Sequence, residues 1–493
     1  MGELPVEVYT AAQVRELDRL AIEDAGMAGF TLMTRAGQAA FSKLRSRWPR
    51  ADRLLILCGG GNNAGDGYVV AHAARDAGLN VRVAALVTPD RLRGDAARAY
   101  AGFTTAGGTT RRWRPELLEG RDLIVDAILG SGLERPLEGE LRATVECINR
   151  AGLPLFALDL PTGLHADTGA ELAAAARADA TMSFIGLKLG YFLGAGPDCV
   201  GELYFDGLGV PAAVYENLNA PVQRLTEAWL GNILQRRRPG THKGEQGHAL
   251  VIGGRSGMGG AIRMTAEAAL RAGAGLVTVA TAADNVAAVT TARPELMVWG
   301  IEQGDALEEL IDRADVVAIG PGLGTGAWGR ALWRTVLASE RPLVVDADAL
   351  NLLAADPVRR ARWILTPHPG EAGRLLARST AEVQADRLGS VRELTRRFDA
   401  VAALKGAGTL IADGDSAIAL CDRGNAGMAS AGMGDVLTGV IAGLAAGGRP
   451  LIDAARAGVL IHALAGDDAA AQGERGMLAT DLFAHIRRRA NPR

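Results

Sequence analysis

The stretch RLLILCGGGNNAGDG, residues 53–67, decides the fold class of this chain. Its first six residues (53–58) have the length and apolar content of a buried β-strand. Three glycines follow at 59–61, and a helix-like stretch continues to Gly78. A strand that leads through a glycine loop into a helix is typical of a β-α-β unit. The segment therefore predicts an α/β protein with a parallel sheet covered on both faces.

The same alternation of short apolar runs and helical stretches continues along the chain. In the first half it predicts further strands at 81–87, 122–129, 154–161 and 178–185. After a proline-containing interruption at 209–247, it predicts strands at 248–254, 276–281, 315–322, 342–350 and 363–370, two strands joined by a glycine turn within 400–412, and a long helical tail over 433–490. We therefore predict two α/β domains, residues 1–215 and 225–493. The arginine run 236–238, within the interruption at 209–247, is interpreted as a solvated inter-domain surface.

Composition excludes several classes of protein. Hydrophobic residues make up 48% and charged residues 22% of the 493 residues, which is ordinary for a globular chain and unlike a disordered one. The net charge of −3 argues against a nucleic-acid partner. We find neither a signal peptide nor an apolar run of the roughly 18 residues that a membrane span needs. The four cysteines form no CxxC pair, so we expect a protein of the reducing cytosol.

Polar side chains gather where strands of the first half end. Asn62, Asn63 and Asp66 lie within the glycine loop, and Asp126 and Asp159 end later strands. Because the carboxyl ends of parallel strands share one edge of a sheet, we expect Asn63, Asp126 and Asp159 to converge there. Amide and carboxylate oxygens suit sugar hydroxyls, an amide or a hard cation. The alternative is that the loop residues form Asx turns and only shape the loop.

The segment GNAGMASAGMGDVLTGVIAGL, residues 424–444, carries the strongest signal of the second half. Gly432 and Gly434 precede Asp435, where an apolar helix begins. Backbone N–H groups at such a helix start can hold an anion, and Asp435 can accept a proton from a hydroxyl that attacks a phosphoryl group. The alternative is a plain helix cap. His368, within TPHPGE (366–371), is either a binding residue or an ordinary surface histidine. KGAGT (405–409) taken by itself is a hairpin turn.

The motifs of the first half resemble those of a known family. GGGNNAGDG (59–67), VDAILGSGL (125–133) and LDLPTG (158–163) look like the YjeF N-terminal domain, an NAD(P)H-hydrate epimerase, over roughly residues 8–210. The resemblance implies a Rossmann-like fold that binds a hydrated nicotinamide nucleotide and a potassium ion. The ion would use Asn63, Asp126 and Thr162. Thr162 stands where the family usually has serine and keeps the hydroxyl.

The resemblance also implies substrate contacts. These would be Asn62, Asn63, Ala64, Gly65, Asp66, Gly130, Ser131, Gly132, Leu133, Glu134, Arg135, Pro136 and Asp159. Ala64 replaces the usual glycine, which requires a negative φ at that position.

The second half is similar to the NAD(P)H-hydrate dehydratase family, whose fold is ribokinase-like. The likeness covers about residues 225–490 and rests on HKGxxG (242–247), VIGG (251–254), GPGLG (320–324), TPHPGE, KGAGT and GMGD. It implies hydrate-binding residues Ala261, Gly324, His368 and Asp435. It also implies ADP with Mg²⁺, the nucleotide being bound by Lys405, Gly406, Ala407, Gly408, Thr409 and Gly434. Met433 stands where the family has a hydroxyl residue, and its backbone N–H remains available.

Both resemblances on one chain imply a two-domain repair enzyme. Its substrates would be NADHX and NADPHX, the hydrates of NADH and NADPH at nicotinamide C6. The first domain would interconvert the R and S forms with Asp159 as proton carrier. The second would use Asp435 as base and phosphorylate the S form from ADP; loss of phosphate then restores the cofactor. One alternative is a vitamin-type small-molecule kinase, and another is a non-catalytic binding module in the first half. We also expect a homo-oligomer.

Overall fold

A computed structural model of the protein describes residues 4–302, 305–414 and 416–491. The chain divides into two compact units, Met1–Val222 and Gln223–Arg493. The helices of the first unit are α1 (Ala11–Glu23), α2 (Gly29–Arg47), α3 (Asn62–Asp76), α4 (Gly94–Thr105), α5 (Gly139–Arg150), α6 (Gly196–Cys199) and α7 (Ala212–Glu216). Its strands are β1 (Glu7–Tyr9), β2 (Arg53–Cys58), β3 (Asn80–Ala85), β4 (Thr110–Arg112), β5 (Leu123–Ala127), β6 (Leu155–Leu158), β7 (Ala180–Phe184), β8 (Leu187–Lys188) and β9 (Glu202–Asp206).

The sheet of the first unit is built around β2. Every residue of β2 from Leu54 to Cys58 is fully buried, because helices cover both faces of the sheet. The strands pair in the order β4-β3-β2-β5-β6-β7-β9, and each of these pairs is parallel. The chain leaves β2 to one side through β3 and returns to its other side at β5. This reversal beside β2 is the Rossmann-like switch point, where ligands bind at the carboxyl ends of the strands.

Strand β10 (Val222–Arg224) lies at the division between the two units. The helices of the second unit are α8 (Glu227–Ile233), α9 (Gly259–Ala272), α10 (Val286–Ala292), α11 (Asp305–Arg313), α12 (Ala327–Ala338), α13 (Ala347–Ala355), α14 (Pro369–Leu376), α15 (Thr380–Ala385), α16 (Arg387–Phe398), α17 (Met433–Ala446), α18 (Leu451–Ala470) and α19 (Leu482–Arg489). Its strands are β11 (His248–Ile252), β12 (Leu276–Thr281), β13 (Met297–Gly300), β14 (Val316–Ile319), β15 (Leu343–Val345), β16 (Trp363–Leu365), β17 (Val401–Leu404), β18 (Thr409–Ala412) and β19 (Ile418–Cys421).

These strands of the second unit pair in the order β13-β12-β11-β14-β15-β16-β17-β18-β19. Pairing is parallel as far as β17 and antiparallel from β17 to β19. The apolar helix α17 packs against α9 and α18. Gly439 allows this close approach, since a Cβ there would lie 2.0 Å from the carbonyl oxygen of Thr265. The core of this unit therefore depends on small residues as well as on aliphatic ones.

Several predicted elements were wrong in extent. The predicted strand 342–350 ends at Val345, and α13 begins at Ala347, after the buried N-cap residue Asp346, whose side chain makes no capping hydrogen bond. The predicted strand 363–370 ends at Leu365, before two prolines that cannot donate to a ladder. The helical tail is three helices, interrupted at Gly447–Pro450 and at 471–481.

Sequence reasoning also missed short strands of two to five residues. They are β1, β4, β8, β9, β10, β13 and β19; β9 is only half-buried along its length and β13 is largely exposed. In the part of the chain that the structure describes, no helix is both long enough and apolar enough to cross a membrane.

Candidate active sites

The glycine loop of the first unit is shorter than predicted. Helix α3 already begins at Asn62, so Asn62, Asn63 and Asp66 lie in its first two turns rather than in a loop. Asn63 is 8% exposed, and neither polar atom of its side chain has a hydrogen-bond partner among the described residues. Ala64 is helical and its φ is negative, as the resemblance requires. The start of α3 therefore presents an unsatisfied amide at the carboxyl edge of the sheet.

Asp126 and Thr162 form a buried pair at the end of β5. The Thr162 hydroxyl donates to Oδ1 of Asp126 at 2.7 Å, and the Thr162 N–H donates to Oδ2 at 2.8 Å. Burial raises the pKa of Asp126, while the two bonds from Thr162 oppose that rise. Asn63 lies one helical turn before Gly67, where a Cβ would be 2.6 Å from that of Ala127 in β5. The helix geometry thus places Asn63 on the face of α3 toward the end of β5.

Asp159 adopts a strained backbone at the end of β6. Its φ is +61°, a conformation that costs a non-glycine residue of order 1–3 kcal/mol. Its carboxylate accepts from Lys188 Nζ at 2.5 Å and from the Ser131 N–H at 3.0 Å, and the Tyr191 hydroxyl donates to its backbone carbonyl. The surrounding bonds therefore hold this carboxylate in one position.

Lys188 is the functional residue that sequence reasoning missed. Its side chain is 1% exposed, and besides Asp159 its ammonium reaches the Phe184 carbonyl at 3.2 Å and Ser183 Oγ at 3.4 Å. Burial lowers the pKa of Lys188, but the charges of Asp159, Tyr191 and Asp18 and the hydrogen bond to Asp159 together outweigh burial, so the net shift is upward. A lysine within the otherwise apolar run LKLGYFL (187–193) was the signal available in the sequence.

Two further acids lie in the same cavity as this ion pair. Burial raises the pKa of Asp18 to about 6, with Lys188 lowering it and Asp159 adding to the rise. Burial, and after it the charges of Asp159 and Asp18, raise the pKa of Asp66 well above its usual range. The cavity thus holds carboxyl groups that differ in their readiness to ionise, which is the arrangement that acid-base chemistry needs.

The cavity has a volume of about 1080 Å³. The predicted residues in its wall are Asn62, Asn63, Asp66, the whole run Gly130–Pro136 and Asp159. Ala64 and Gly65 lie buried in α3, behind that wall, and Asp126 and Thr162 are buried at the strand ends. The predicted residues therefore divide into a lining and a support beneath it.

In the second unit, topology brings the predicted residues to one edge. Ala261, Gly324, His368 and Lys405 follow the carboxyl ends of β11, β14, β16 and β17. These strands lie along one sheet in the order β11-β14-β15-β16-β17. Ala261 lies in α9 after β11, next to Gly322, and Gly324 follows β14 and donates its N–H to Asp348 at 2.8 Å. His368 follows β16 and Lys405 follows β17. Residues far apart in the chain thus meet at one sheet edge.

Asp435 lies in the first turn of α17. Gly432 caps the helix at φ +89°, a conformation that favours glycine. Burial and the neighbouring Asp346 raise the pKa of Asp435 to about 7, and Lys405 opposes that rise. A carboxylate whose pKa is close to neutrality is well suited to act as a general base. As the resemblance implies, the helix start combines a free set of N–H groups with a poised carboxyl group.

Lys405 is held beside that helix start by two acids. Its ammonium lies 2.7 Å from Asp346 Oδ1 and 3.8 Å from Glu371 Oε2, and the Thr438 hydroxyl donates to the other oxygen of Asp346 at 2.7 Å. A Cβ on Gly434 would be 3.4 Å from the Lys405 ammonium, so only a small residue leaves this contact open. Asp346, Glu371 and Thr438 were not predicted, although Glu371 and Thr438 lie within quoted motifs, because their contacts join segments that are far apart in the chain.

His368 has a structural part and an exposed part. Its ring Nδ1 accepts the Gly370 N–H at 2.9 Å as the cap of α14. The backbone N–H of His368 donates to Glu371 Oε2 at 2.8 Å. Burial, followed by the charge of Lys405, lowers the pKa of His368. Nδ1 is therefore committed to the cap, and Nε2, on a half-exposed ring, lies 3.5 Å from Glu371 Oε1.

The turn Gly406–Thr409 joins β17 to β18 in the antiparallel hairpin that the sequence predicted. Its shape is held by Arg387, a buried residue whose guanidinium donates to the carbonyls of Leu404, Lys405 and Gly408 at 3.2–3.4 Å. The Thr409 hydroxyl donates to the Gly406 carbonyl at 2.9 Å. Sequence reasoning missed Arg387, which is 18 residues from Lys405 in the chain.

Comparisons with known proteins show which families each unit is similar to. The family described as NAD(P)H-hydrate dehydratase matches residues 249–488, and that described as YjeF-related protein N-terminus matches residues 29–190. A bifunctional NAD(P)H-hydrate repair enzyme of Coxiella burnetii is 45% identical over 98% of this chain and 99% of its own length. One from Escherichia coli is 46% identical over 99% and 95%. A solved ribokinase-like protein of Enterococcus faecalis matches 55% of this chain and 96% of its own with 30% identity and a TM-score of 0.52.

The fold and the sites define a two-unit α/β enzyme in which a Rossmann-like unit precedes a ribokinase-like one. The α/β class and both fold predictions are confirmed. The chain belongs to the family of bifunctional NAD(P)H-hydrate repair enzymes. The family resemblance inferred from the motifs is likewise confirmed.

Proposed function

We propose that this protein repairs hydrated NADH and NADPH in two reactions. The first unit interconverts the R and S hydrates, and the second converts the S hydrate and ADP into NAD(P)H, AMP and phosphate. The observation that carries the proposal is Asp435, a carboxyl group with a pKa near 7 in the first turn of a glycine-capped helix, with the Lys405 ammonium beside that turn. A base, an anion pocket and a cation in one place are what phosphoryl transfer from a nucleotide needs.

In the second unit, Asp435 takes the proton of the C6 hydroxyl. The hydroxyl oxygen attacks the β-phosphorus of ADP at the same time, and AMP leaves. The backbone N–H groups at 432–434 and the Lys405 ammonium stabilise the charge on the transferred group. The phosphate then departs with the electrons of the C6–O bond. A proton is lost from the neighbouring ring carbon C5, and the double bond of NAD(P)H forms.

We propose that Mg²⁺ enters this site with ADP. Among the described residues, no three His, Cys, Asp or Glu side chains are placed to hold a metal ion by themselves. Both oxygens of Asp346 are already engaged by Lys405 and Thr438. Mg²⁺ usually binds through phosphate oxygens with one or two carboxylates, so the ion belongs to the nucleotide substrate rather than to the protein.

For the first unit we propose a potassium ion held by Asn63, Asp126 and Thr162. Asn63 supports this, because its buried amide oxygen has no protein partner among the described residues, and oxygen donors of the amide, carboxylate and hydroxyl kind suit a hard cation. When bound, the ion supplies a fixed positive charge at the carboxyl end of β5.

Epimerisation requires that a bond at C6 break and re-form. We propose that the Asp159 carboxylate takes the proton of the C6 hydroxyl and that the ring nitrogen N1 receives a proton. The C6–N1 bond breaks in this step, and C6 becomes the planar carbon of a carbonyl group. Rotation about the C5–C6 bond and the reverse steps then produce the other configuration. Lys188 holds the Asp159 carboxylate in place, at a separation of 2.5 Å. Asp66 is the candidate acid, since burial and the charges of Asp159 and Asp18 raise its pKa well above its usual range and so favour its protonated form.

A direct experiment is to mix the protein with racemic hydrate and ADP and to follow the absorbance of the reduced cofactor. We expect full recovery of both forms, with AMP and phosphate released in equal amounts. Full recovery limited to the S form would mean that the first unit is a binding module. A stable phosphorylated product without phosphate release would mean that the second unit is a small-molecule kinase.

The reducing cytosol remains our proposed location. All four cysteines, Cys58, Cys147, Cys199 and Cys421, are unpaired, which suits a compartment that keeps thiols reduced. The homo-oligomer stays a prediction.

A further inference from the structure

The second unit contains a cavity that the proposed reactions do not use. Its volume is about 730 Å³, within the range of small-molecule sites. It lies where α9, α17 and α19 end, and its lining includes Gly273, Gly447 and Asn491. Asp435 lies near the other end of α17, a helix of 14 residues and therefore about 20 Å long. The cavity is thus separate from the proposed reaction site.

Arginines dominate the lining of this cavity. Six of them line it: Arg236, Arg237, Arg271, Arg293, Arg449 and Arg487. The acidic side chains in the lining are Glu267 and Glu295, which leaves an excess of four positive charges. Arg236 and Arg237 line the cavity and are exposed, as the interpretation of the 236–238 run as a solvated surface expects.

The excess charge is not cancelled by neighbouring carboxylates. Glu267 is buried and already engaged by Arg271 at 3.3 Å, by Arg293, and by Arg263 outside the cavity at 3.1 Å. Arg293 is also the partner of Glu295, at 3.8 Å.

The remaining arginines have no acidic partner within the described residues. In that part of the chain, the guanidinium groups of Arg236, Arg449 and Arg487 form no ion pair or hydrogen bond, and Arg237 donates only to the Gly273 carbonyl. Burial, followed by the charge of Arg237, lowers the pKa of Arg449. These groups are therefore available to an anion.

Helix ends account for part of this charge but not for all of it. The C-terminus of a helix carries roughly −0.5 of an elementary charge, so three such ends supply about −1.5 against an excess of four. Arg237 is the arginine that demonstrably caps one of them. More than two positive charges therefore remain uncompensated around this cavity.

We propose that this cavity binds a small anion that bears two or more phosphate groups. The planar guanidinium fork matches phosphate oxygens in pairs, and several forks around one space favour a polyphosphate over a single carboxylate. A nucleoside polyphosphate and an inorganic polyphosphate share this chemistry. The side chains of Leu234, Leu270 and Leu444 in the same lining add apolar surface that a nucleoside would cover.

The test is calorimetric titration of the full-length protein with inorganic triphosphate. We expect saturable binding that the double variant R236Q/R449Q weakens at least tenfold. The variant K405Q, altered in the proposed reaction site, should keep that binding. So should R334Q, which removes an exposed arginine of α12 in the same unit. Competition by ADP in the K405Q background identifies a nucleotide ligand, and its absence identifies an inorganic one.

The melting temperature separates binding from helix capping. Triphosphate should raise the melting temperature of the wild type and of R334Q but not that of R236Q/R449Q. The proposal is overturned if the wild type does not bind triphosphate, if the double variant binds as well as the wild type, or if R334Q loses as much affinity as the double variant. It is also overturned if the K405Q change alone abolishes binding.

Discussion

Replacing Lys188 with methionine tests the epimerase chemistry most directly. The change keeps the length of the side chain and removes the ammonium that lies 2.5 Å from Asp159, in a position that is 1% exposed. Asp159 is then left among Asp18 and Asp66 with no cation in contact among the described residues. Breaking one side of a buried ion pair costs about 3–5 kcal/mol. For a unit of about 220 residues, at about 2–4 °C per kcal/mol, we expect its melting temperature to fall by roughly 6–20 °C.

The catalytic effect should be confined to one reaction. Without Lys188, Asp159 loses the cation that positions its carboxylate, so conversion of the R hydrate should fall by about 10²–10⁴, the usual contribution of a general base. The assay uses R and S hydrates separately with excess ADP, below the lowered melting temperature, and repair of the S form is the internal control. Lys43→Met is the matched variant, since Lys43 only lies over the Tyr204 ring at 4.4 Å. Unchanged R-form repair in Lys188→Met would refute the reasoning.

Five further outcomes are expected. Asp435→Asn should lower S-form repair by at least 10² while R-to-S conversion persists, measured as AMP release and by chromatography of the two hydrates. Since the base must be ionised and the pKa of Asp435 is about 7, wild-type kcat/KM for S-form repair should rise with pH through about 7 and then level off. A carboxyl pKa that is raised in the folded state lowers the free energy of unfolding as pH rises from about 4 to 7. Asp435→Asn should therefore melt at a higher temperature than the wild type at pH 8 and show no gain at pH 4. At ~1.36 kcal/mol per pKa unit, the gain in the free energy of unfolding at pH 8 is up to about 4 kcal/mol. Asn63→Ala should abolish the rise in melting temperature that KCl produces over NaCl, together with any potassium dependence of R-form repair. Arg387→Met should raise the KM for ADP about tenfold with a smaller change in kcat, because the turn 406–409 loses the donor that holds its carbonyls.

Prediction succeeded where structure is a local property of the chain. The strand at 53–58 was predicted with its observed limits, because its consecutive buried residues leave a continuous apolar run. The hairpin at 400–412 and the helix start beside Asp435 were found for similar reasons, since glycine at positions of positive φ marks both of them. Edge strands such as β13 were missed because four residues are too few to show a periodic pattern, even where they are apolar, as in MVWG.

The candidate sites divide along the same line. Residues inside glycine-rich motifs, such as Asn63 and Asp435, were recognised from their neighbours in the sequence. Lys188 and Asp346 were not, although Asp346 bonds Lys405 from 59 residues away and Thr438 from 92. Their importance arises from contacts across the sheet edge, which no local pattern records.

The amino-acid sequence by itself determined the two α/β units, the strand ends that carry carboxylates and the motifs of a known family, because apolar period and glycine positions act over a few residues. Only the tertiary structure decided which charges meet. It paired Lys188 with Asp159 and Lys405 with Asp346, and it gathered arginines from distant segments around one cavity. Electrostatic interactions depend on distance and burial in space, and the fold sets both of these after the chain has closed its sheets.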